Sequence, residues 1–517
     1  MRNEAASRES TSLTAHYCNS TRRASIMPGK LSARTLVVAV SAFSLALGAL
    51  AQEETSSVAG RTVPPQTNEV SQEISQPTPQ AGKIFMPETS KAKDGQVHTT
   101  YVLRSEDGVR PLVVHVPTYL NPVTPTLEGV EPLVTTTEEP ETPQSLGCIY
   151  VGSPSSSGCV PNYSSGSGGP SAAGYGAIAL VDAYDNPDAA SDLAEFDAYW
   201  GLHPANFVKI YANGNGDCST PAANAGWSVE SSMDIEYAHV FAPNATIILV
   251  EACSSSWTDL LYAERVAFSY IVAHYPAGGQ VSNSWQGGEN STIQPADDSL
   301  FADFTYNVSD DYATPILAFA SSGDGGKGVG YPSTNPWVIS AGGTSILRNS
   351  TTLAFSSEAC WSGSGGGESA LETYKTVWTG GNMGPWADFQ YPIFGQSNRR
   401  TPDMSFDADP SSGAWVYSAF GLGGWSPVGG TSLASPALAG IVNRFGNKLG
   451  SVYLTPATSG SDWFSTWENN LVYAQLATAN MYRTDFYDIT TGSNGFAAVR
   501  SWDYCTGVGS PRGPIGK

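Results

Sequence analysis

Ile316-Leu317-Ala318-Phe319-Ala320-Ser321-Ser322-Gly323-Asp324-Gly325-Gly326 is the stretch on which the reading of this chain turns. Its opening apolar run has no polar alternation, so it reads as a buried strand. The Ser/Gly cluster behind it reads as a tight loop. Asp324 then stands just past the carboxyl end of a parallel strand, where open α/β sheets gather their ligands. The plain alternative is a turn aspartate bonded to its own backbone.

Outward from this stretch, strand-like runs recur at residues 177–181, 207–211, 246–250, 279–283 and 338–341. Helix-like runs lie between or after them at 189–200, 229–241, 257–274 and 432–447. Such alternation predicts a single α/β domain with a parallel sheet, covering residues 145–517. No internal repeat is present.

Three further segments can carry chemistry. In 227–243, Val229, Met233, Tyr237 and Val240 recur at helical spacing and Pro243 supplies the stop. Glu230 and Asp234 are four apart and leave one face beside that stripe. Placed in a cleft, such a pair raises one pKa and makes a base suited to acid; on a surface, it is an ordinary solvated face. Val281-Ser282-Asn283-Ser284-Trp285-Gln286-Gly287-Gly288-Glu289 is a strand running into a glycine loop, which lines a cleft or turns a corner. In 429–442, Gly429-Gly430-Thr431-Ser432 precedes an Ala/Leu/Ile helix. A hydroxyl at that mouth faces unsatisfied N–H groups and the positive end of the helix dipole, a good place for a nucleophile that builds an oxyanion. Alone, it is a helix cap.

In this order along the chain, the four segments resemble the sedolisin family of serine-carboxyl peptidases, acid-active relatives of subtilisin. The family pattern is E-x-x-x-D, then S-x-S-W-G, then S-S-G-D, then S-G-T-S-x-x-x-P. Glu230 and Asp234 match the first and Ser282 to Trp285 the second, with Gln286 where glycine is usual. Ser321 to Asp324 match the third, and Gly430 to Pro436 the last, with Gly429 where serine is usual. The resemblance spans residues 145–513. It implies a subtilisin-like parallel sheet flanked by helices and a secreted peptidase acting on proteins or peptides. Ser432 would attack the scissile carbonyl, Glu230 would take its proton, and Asp234 would hold Glu230, as aspartate holds histidine in the serine triad. A protonated Asp324 would donate to the oxyanion beside the Ser432 amide. Asp182 and Trp285 take the supporting positions, Asp182 where glutamate is commoner. These roles imply an optimum between roughly pH 3 and 5.5 for ordinary carboxyl pKa values.

The resemblance also implies one structural calcium ion near the C-terminus. Asp488 and Asp503 match the family carboxylates, and Ile489, Val499 and Ser501 the carbonyl positions, the last two standing where glycines are usual. Hard oxygens of this kind suit Ca²⁺; an Asp-capped turn is the plain alternative.

Two other readings compete. A subtilisin-type Asp/His/Ser enzyme could use Asp182 and His239, but no His-Gly-Thr segment occurs, and His239 reads as a helical histidine before a proline stop. A secreted, inactive binding protein could keep the scaffold, since fold alone does not prove chemistry. It would have no chemical need for Ser432, Glu230, Asp234 and Asp324 together.

The chain has 517 residues, 41% of them hydrophobic, and a net charge of −22. That balance excludes nucleic acid as a partner, because phosphates would be repelled. Residues 35–51 form an apolar run behind Lys30 and Arg34 that ends in Ala49-Leu50-Ala51, a signal peptide cut before Gln52, with Met27 the better start. The run is short for a membrane span, so the mature protein is read as an extracellular monomer without stable membrane insertion. Residues 52–144, rich in Pro, Thr, Glu and Ser, read as a largely disordered segment or reduced propeptide, with apolar islands at 101–103 and 112–116. This departs from the larger folded prodomain of the family. After signal cleavage Cys148, Cys159, Cys218, Cys253, Cys360 and Cys505 remain. Pairing each with the next is one of fifteen arrangements open to six cysteines.

Overall fold

The apolar runs line up as one parallel sheet. The computed structural model describes residues 83–93, 95–105, 136–152, 159–160, 173–213, 218–295, 298, 300–301, 316–373, 390, 398–445, 473 and 479–513. The run read as a signal peptide and the island at 112–116 lie outside the described residues. Across the sheet the order is Asn206–Ala212, Thr246–Ala252, Ala177–Ala183, Gly279–Asn283, Ile316–Ser321 and Val338–Asn349, all parallel, then antiparallel Phe355–Cys360. The order reverses around Ala177–Ala183, which places its C-terminal end at the switch point where such sheets open a crevice.

Both faces are covered, which explains the lack of polar alternation. Ile178, Leu180, Ile247 and Leu249 pack on one face with residues of helices Ala189–Trp200, Ala225–Phe241 and Thr431–Phe445. Ala177, Ala179, Val181, Ile248 and Val250 pack on the other with Leu260, Ala267, Phe268 and Ile271 of helix Trp257–His274. Asn224 caps the first turn of Ala225–Phe241 by accepting from Trp227 N–H, and Ser256 does the same for Asp259 in Trp257–His274.

Helix Ala225–Phe241 is not the amphipathic surface helix its stripe suggests. Glu230, Asp234 and Glu236 are all 0% exposed, because the sheet covers one side and helix Thr431–Phe445 the other. At Gly440 the two helices touch backbone to backbone: a Cβ there would lie 2.9 Å from both Ala238 O and Phe241 Cβ.

Two other expectations change. The short strand at 338–341 extends to Asn349, because Phe355–Cys360 and Met404–Asp407 pair with it through and beyond Gly342-Gly343. The segment 52–144, read as largely disordered, contains docked strands. Lys83–Phe85 and Val102–Ser105 join Gly424–Gly429 and Ala414–Ser418 in a four-stranded antiparallel sheet. His98–Thr99 pairs antiparallel with Trp285–Gln286. Tyr101, Val102 and Leu103 are buried. Such short strands are not stable alone; edges of the folded domain supply their hydrogen bonds.

The cysteines pair as Cys148–Cys159, Cys218–Cys253 and Cys360–Cys505. Buried Arg348 ties the start of the domain to the sheet through Glu141 (Nε to Oε1 2.6 Å), just before helix Pro143–Tyr150.

Candidate active site

Ser432 stands in the first turn of helix Thr431–Phe445, and the helix mouth is built from its missing bonds. Pro436 has no N–H to give Ser432 O, so that carbonyl accepts from Ser284 Oγ at 3.2 Å. Thr431 N–H and Oγ1–H both donate to Asp324 Oδ1 at 2.8 Å, and Thr431 Oγ1 accepts from Gly323 N–H at 3.0 Å. The loop after Ile316–Ser321 is thereby sewn to the helix. Asp324 is more than a turn aspartate: its Oδ2 is buried without a hydrogen-bond partner among the described residues. Burial raises its pKa to about 7, against the opposing pull of the Thr431 bonds.

Three more carboxyls cluster here, of which Glu230 faces the Ser432 hydroxyl. Burial raises Glu230 well above the ordinary range; the neighbouring charges of Asp234 and Asp182 add to this, and Asp324 contributes less. Asp234 is raised well above its usual value by burial and then by Asp182. Asp182, at the end of Ala177–Ala183, is pushed up to about 8 by burial. Among the described residues, no hydrogen bond of ordinary geometry reaches these three carboxyls, yet the Ser432 hydroxyl lies close enough to Glu230, and Ser284's to Asp234, to favour the charged forms. Buried carboxyls so close together cannot all ionise, so they hold protons jointly. Trp285 Nε1–H donates to Val181 O at 2.9 Å, holding the Ser284 strand against the strand that carries Asp182.

His239 is elsewhere. Its Nε2 bonds His203 O at 2.8 Å and faces Asp197 at 3.4 Å, and burial lowers its pKa. The structure does not bring it to Ser432, so the Asp/His/Ser arrangement is not formed.

Thr100 is the residue that the sequence does not announce. Ser432 N–H donates to Thr100 O at 2.9 Å, and Thr100 N–H donates to Ser432 Oγ at 3.2 Å. Gly430, at φ +108°, must be glycine: a Cβ would fall 2.3 Å from Thr100 O and 2.7 Å from Asp324 Oδ2. The Thr100 carbonyl oxygen and the unpartnered Asp324 oxygen therefore close over the same bare backbone. The only signal in the sequence was the apolar island beginning at Tyr101.

At the C-terminal end, Asp488, Ser501 and Asp503 come together. Tyr482 has one hydroxyl proton but faces Asp488 Oδ1 (3.1 Å), Ser501 O (3.2 Å) and Val508 O (2.7 Å). Asp503 accepts from the amides of Val499, Cys505 and Thr506, as a turn cap does. Val499 and Ser501 turn their N–H groups to Asp503 and Asp488. No group of three or more His, Cys, Asp or Glu able to hold a metal ion occurs among the described residues. Around Tyr482, three oxygens share one hydroxyl proton, and a hard cation needs oxygens rather than a third acidic residue.

No protein-family profile matches the chain. Among curated proteins it is similar to kumamolisin from Bacillus sp. (strain MN-32), with 28% identity over 364 residues, 65% of this chain and 58% of kumamolisin. It is also similar to sedolisin from Pseudomonas sp. (strain 101), with 28% identity over 341 residues, 62% of this chain and 53% of sedolisin. Xanthomonalisin from Xanthomonas sp. (strain T-22) is 30% identical over 196 residues, 35% of this chain and 21% of xanthomonalisin. The chain thus aligns with little more than half the length of the first two. The solved Pseudomonas sedolisin, a serine-carboxyl proteinase in complex with pseudo-iodotyrostatin, superposes with a TM-score of 0.54 at 24% identity, covering 73% of this chain and 96% of that one. The relatives are sedolisin-family proteins and the fold is subtilisin-like.

Proposed function

We infer that this relative of sedolisin and kumamolisin is a secreted serine-carboxyl peptidase, hydrolysing peptide bonds through an acyl-enzyme on Ser432. The observation that carries the reading is Glu230 facing the Ser432 hydroxyl, with Asp234 and Asp324 beside Glu230 and a peptide carbonyl held on the Ser432 amide. Glu230 takes the serine proton as Oγ attacks, and returns it to the leaving amine. Asp234 and Asp182 set the proton affinity of Glu230 by sharing the protons of the cluster. Asp324, protonated, donates from Oδ2 to the oxyanion while Thr431 holds its other oxygen. A scaffold that only bound peptides would gain nothing from burying four carboxyls around a serine.

The pH dependence tests this. Glu230 must be ionised and Asp324 neutral, so activity should fall as pH rises through the Asp324 value of about 7. The acid limb belongs to Glu230. Both limbs lie above those of free carboxyls, because burial raises each group. Casein hydrolysis is expected to be strong in acid and nearly absent at pH 9. Asp324→Asn, which keeps a donor, should lose much of the alkaline limb, and Glu230→Gln should lose nearly all turnover. Greatest turnover at pH 8 to 9 would refute the mechanism.

One calcium ion at Asp488 and Asp503, reached by the carbonyls of Ile489, Val499 and Ser501, completes the proposal. It would brace the loop that carries Cys505. Binding to the native state alone stabilises by mass action; at a hundred-fold excess over Kd this is about 2.7 kcal/mol. Chelation should therefore lower the melting temperature by several degrees, and Asp488→Ala should remove that sensitivity. A curve indifferent to chelator, with no calcium by elemental analysis, would leave the turn alone. The three disulfides support export.

A further inference from the structure

The chain presents its own peptide to Ser432 in the pose of a substrate. His98 and Thr99 pair with Gln286 and Trp285 on one side of the serine, and Val102 and Leu103 pair with Gly429 and Val428 on the other. Between them the Thr100 carbonyl rests on the Ser432 amide. The bond so offered is Thr100–Tyr101, with Thr100 on the acyl side.

The pocket around the Thr100 side chain is small and polar. Its hydroxyl donates to Ser321 Oγ at 2.7 Å, with Ser284 O at 3.3 Å, and meets Ser432 Oγ at 2.7 Å. Gln286 crosses the space beyond. Its amide lies so close over the facing loop that a Cβ at Gly323 or Gly330 would fall 2.4 Å from Gln286 Oε1. The strand Trp285–Gln286 and the loop after Ser321 are the two walls of this pocket, and the Gln286 side chain bridges them. On the leaving side, Tyr101 is buried and its hydroxyl donates to Gly226 O at 3.0 Å.

We propose that the site selects threonine or serine on the acyl side of the cleaved bond, that Gln286 closes the pocket to larger residues, and that Thr100–Tyr101 is the first bond cut. This rests on the peptidase reading. Ser432 Oγ forms an ester with the Thr100 carbonyl carbon as the Thr100–Tyr101 C–N bond breaks. The serine proton passes through Glu230 to the Tyr101 nitrogen, and water then hydrolyses the ester to leave a Thr100 carboxyl. A larger apolar residue would leave the Ser321 hydroxyl unpaired beside the bridge that Gln286 makes, and a site built to bond a hydroxyl rejects analogues that lack one.

The test uses the full chain at acidic pH, with casein hydrolysis as the measure of peptidase activity. Peptides spanning residues 96–103 carry Thr, Ser, Val, Leu or Phe at position 100. Thr and Ser are expected to exceed Leu and Phe in kcat/KM by at least about tenfold. Gln286→Gly should cut that ratio at least about tenfold by raising Leu and Phe. N-terminal sequencing of the incubated chain should find Tyr101 as the new terminus. An enzyme that digests casein but cleaves after Phe as readily as after Thr, or leaves Thr100–Tyr101 intact, overturns the specificity and spares the peptidase. A chain that does not digest casein overturns both. Were Gln286→Gly not to fold, the wild-type profile and the new terminus would still decide.

Discussion

Ser432→Ala is expected to lower casein hydrolysis in acid by at least about 10⁴-fold, with the fold retained. The variant keeps what the backbone of residue 432 contributes: the amide still donates to Thr100 O, and the carbonyl still accepts from Ser284 Oγ. The hydroxyl's bonds to Thr100 and Ser284 and its approach to Glu230 disappear. Thr100 Oγ1 retains Ser321, so the loss in stability should be about 1 kcal/mol or less. Measured together, a melting curve within a few degrees of wild type and an activity near background isolate the chemical role. Residual turnover above about a hundredth of wild type would remove Ser432 from the centre of the mechanism, since loss of a nucleophile costs far more than this.

The second large effect concerns stability, and its sign is unusual. Raising pH from 4 to 9 is expected to lower the melting temperature by more than about 10 °C, where an average domain is most stable between about pH 5 and 8. Burial raises Asp197 and Asp324 to about 7, Asp182 to about 8 and Glu372 to about 9. Glu230, Asp234, Glu236 and Asp407 are driven up as well, also by burial first. Unfolded carboxyls titrate near pH 4, so the native state holds these protons longer than the unfolded chain. The stabilisation is complete below pH 4 and is lost as pH climbs through the folded values. Each unit of difference is worth about 1.4 kcal/mol. Releasing only a few such protons therefore competes with the roughly 5–15 kcal/mol that holds a domain together. The net charge of −22 adds repulsion in the same direction. Thermal unfolding followed across this range at constant ionic strength checks it, and a flat or rising curve would contradict the burial described.

Elements with local signals were legible in the sequence. Helices Ala189–Trp200 and Trp257–His274 begin and end where the sequence reading puts them. Strand Gly279–Asn283 also matches the bounds read for it, although Val281 is its one apolar side chain. Val338–Asn349 was read too short because its second half owes its shape to neighbours. In the site, Glu230, Asp234, Asp324 and Ser432 were visible as residue types at particular spacings, and the fold brings them together. The depth of their burial was not visible, because a carboxylate beside an apolar stripe looks the same whether a second helix covers it or not. Thr100 was illegible for a related reason. Its own hydrogen bonds go to Ser284, Ser321 and Ser432, 184 to 332 residues away, and no local pattern encodes such partners.

The strand through the cleft has a consequence for measuring ligand affinity. A segment tied to its site by a short length of chain competes as though present at millimolar concentration. A soluble peptide or transition-state analogue must displace it, so its apparent affinity reports only the fraction of molecules whose cleft is momentarily vacant. The same compound titrated against the uncut chain and against a chain cleaved at Thr100–Tyr101 should give two different dissociation constants. Their ratio measures the self-association of the strand, a quantity set by linker length as much as by any contact in the cleft.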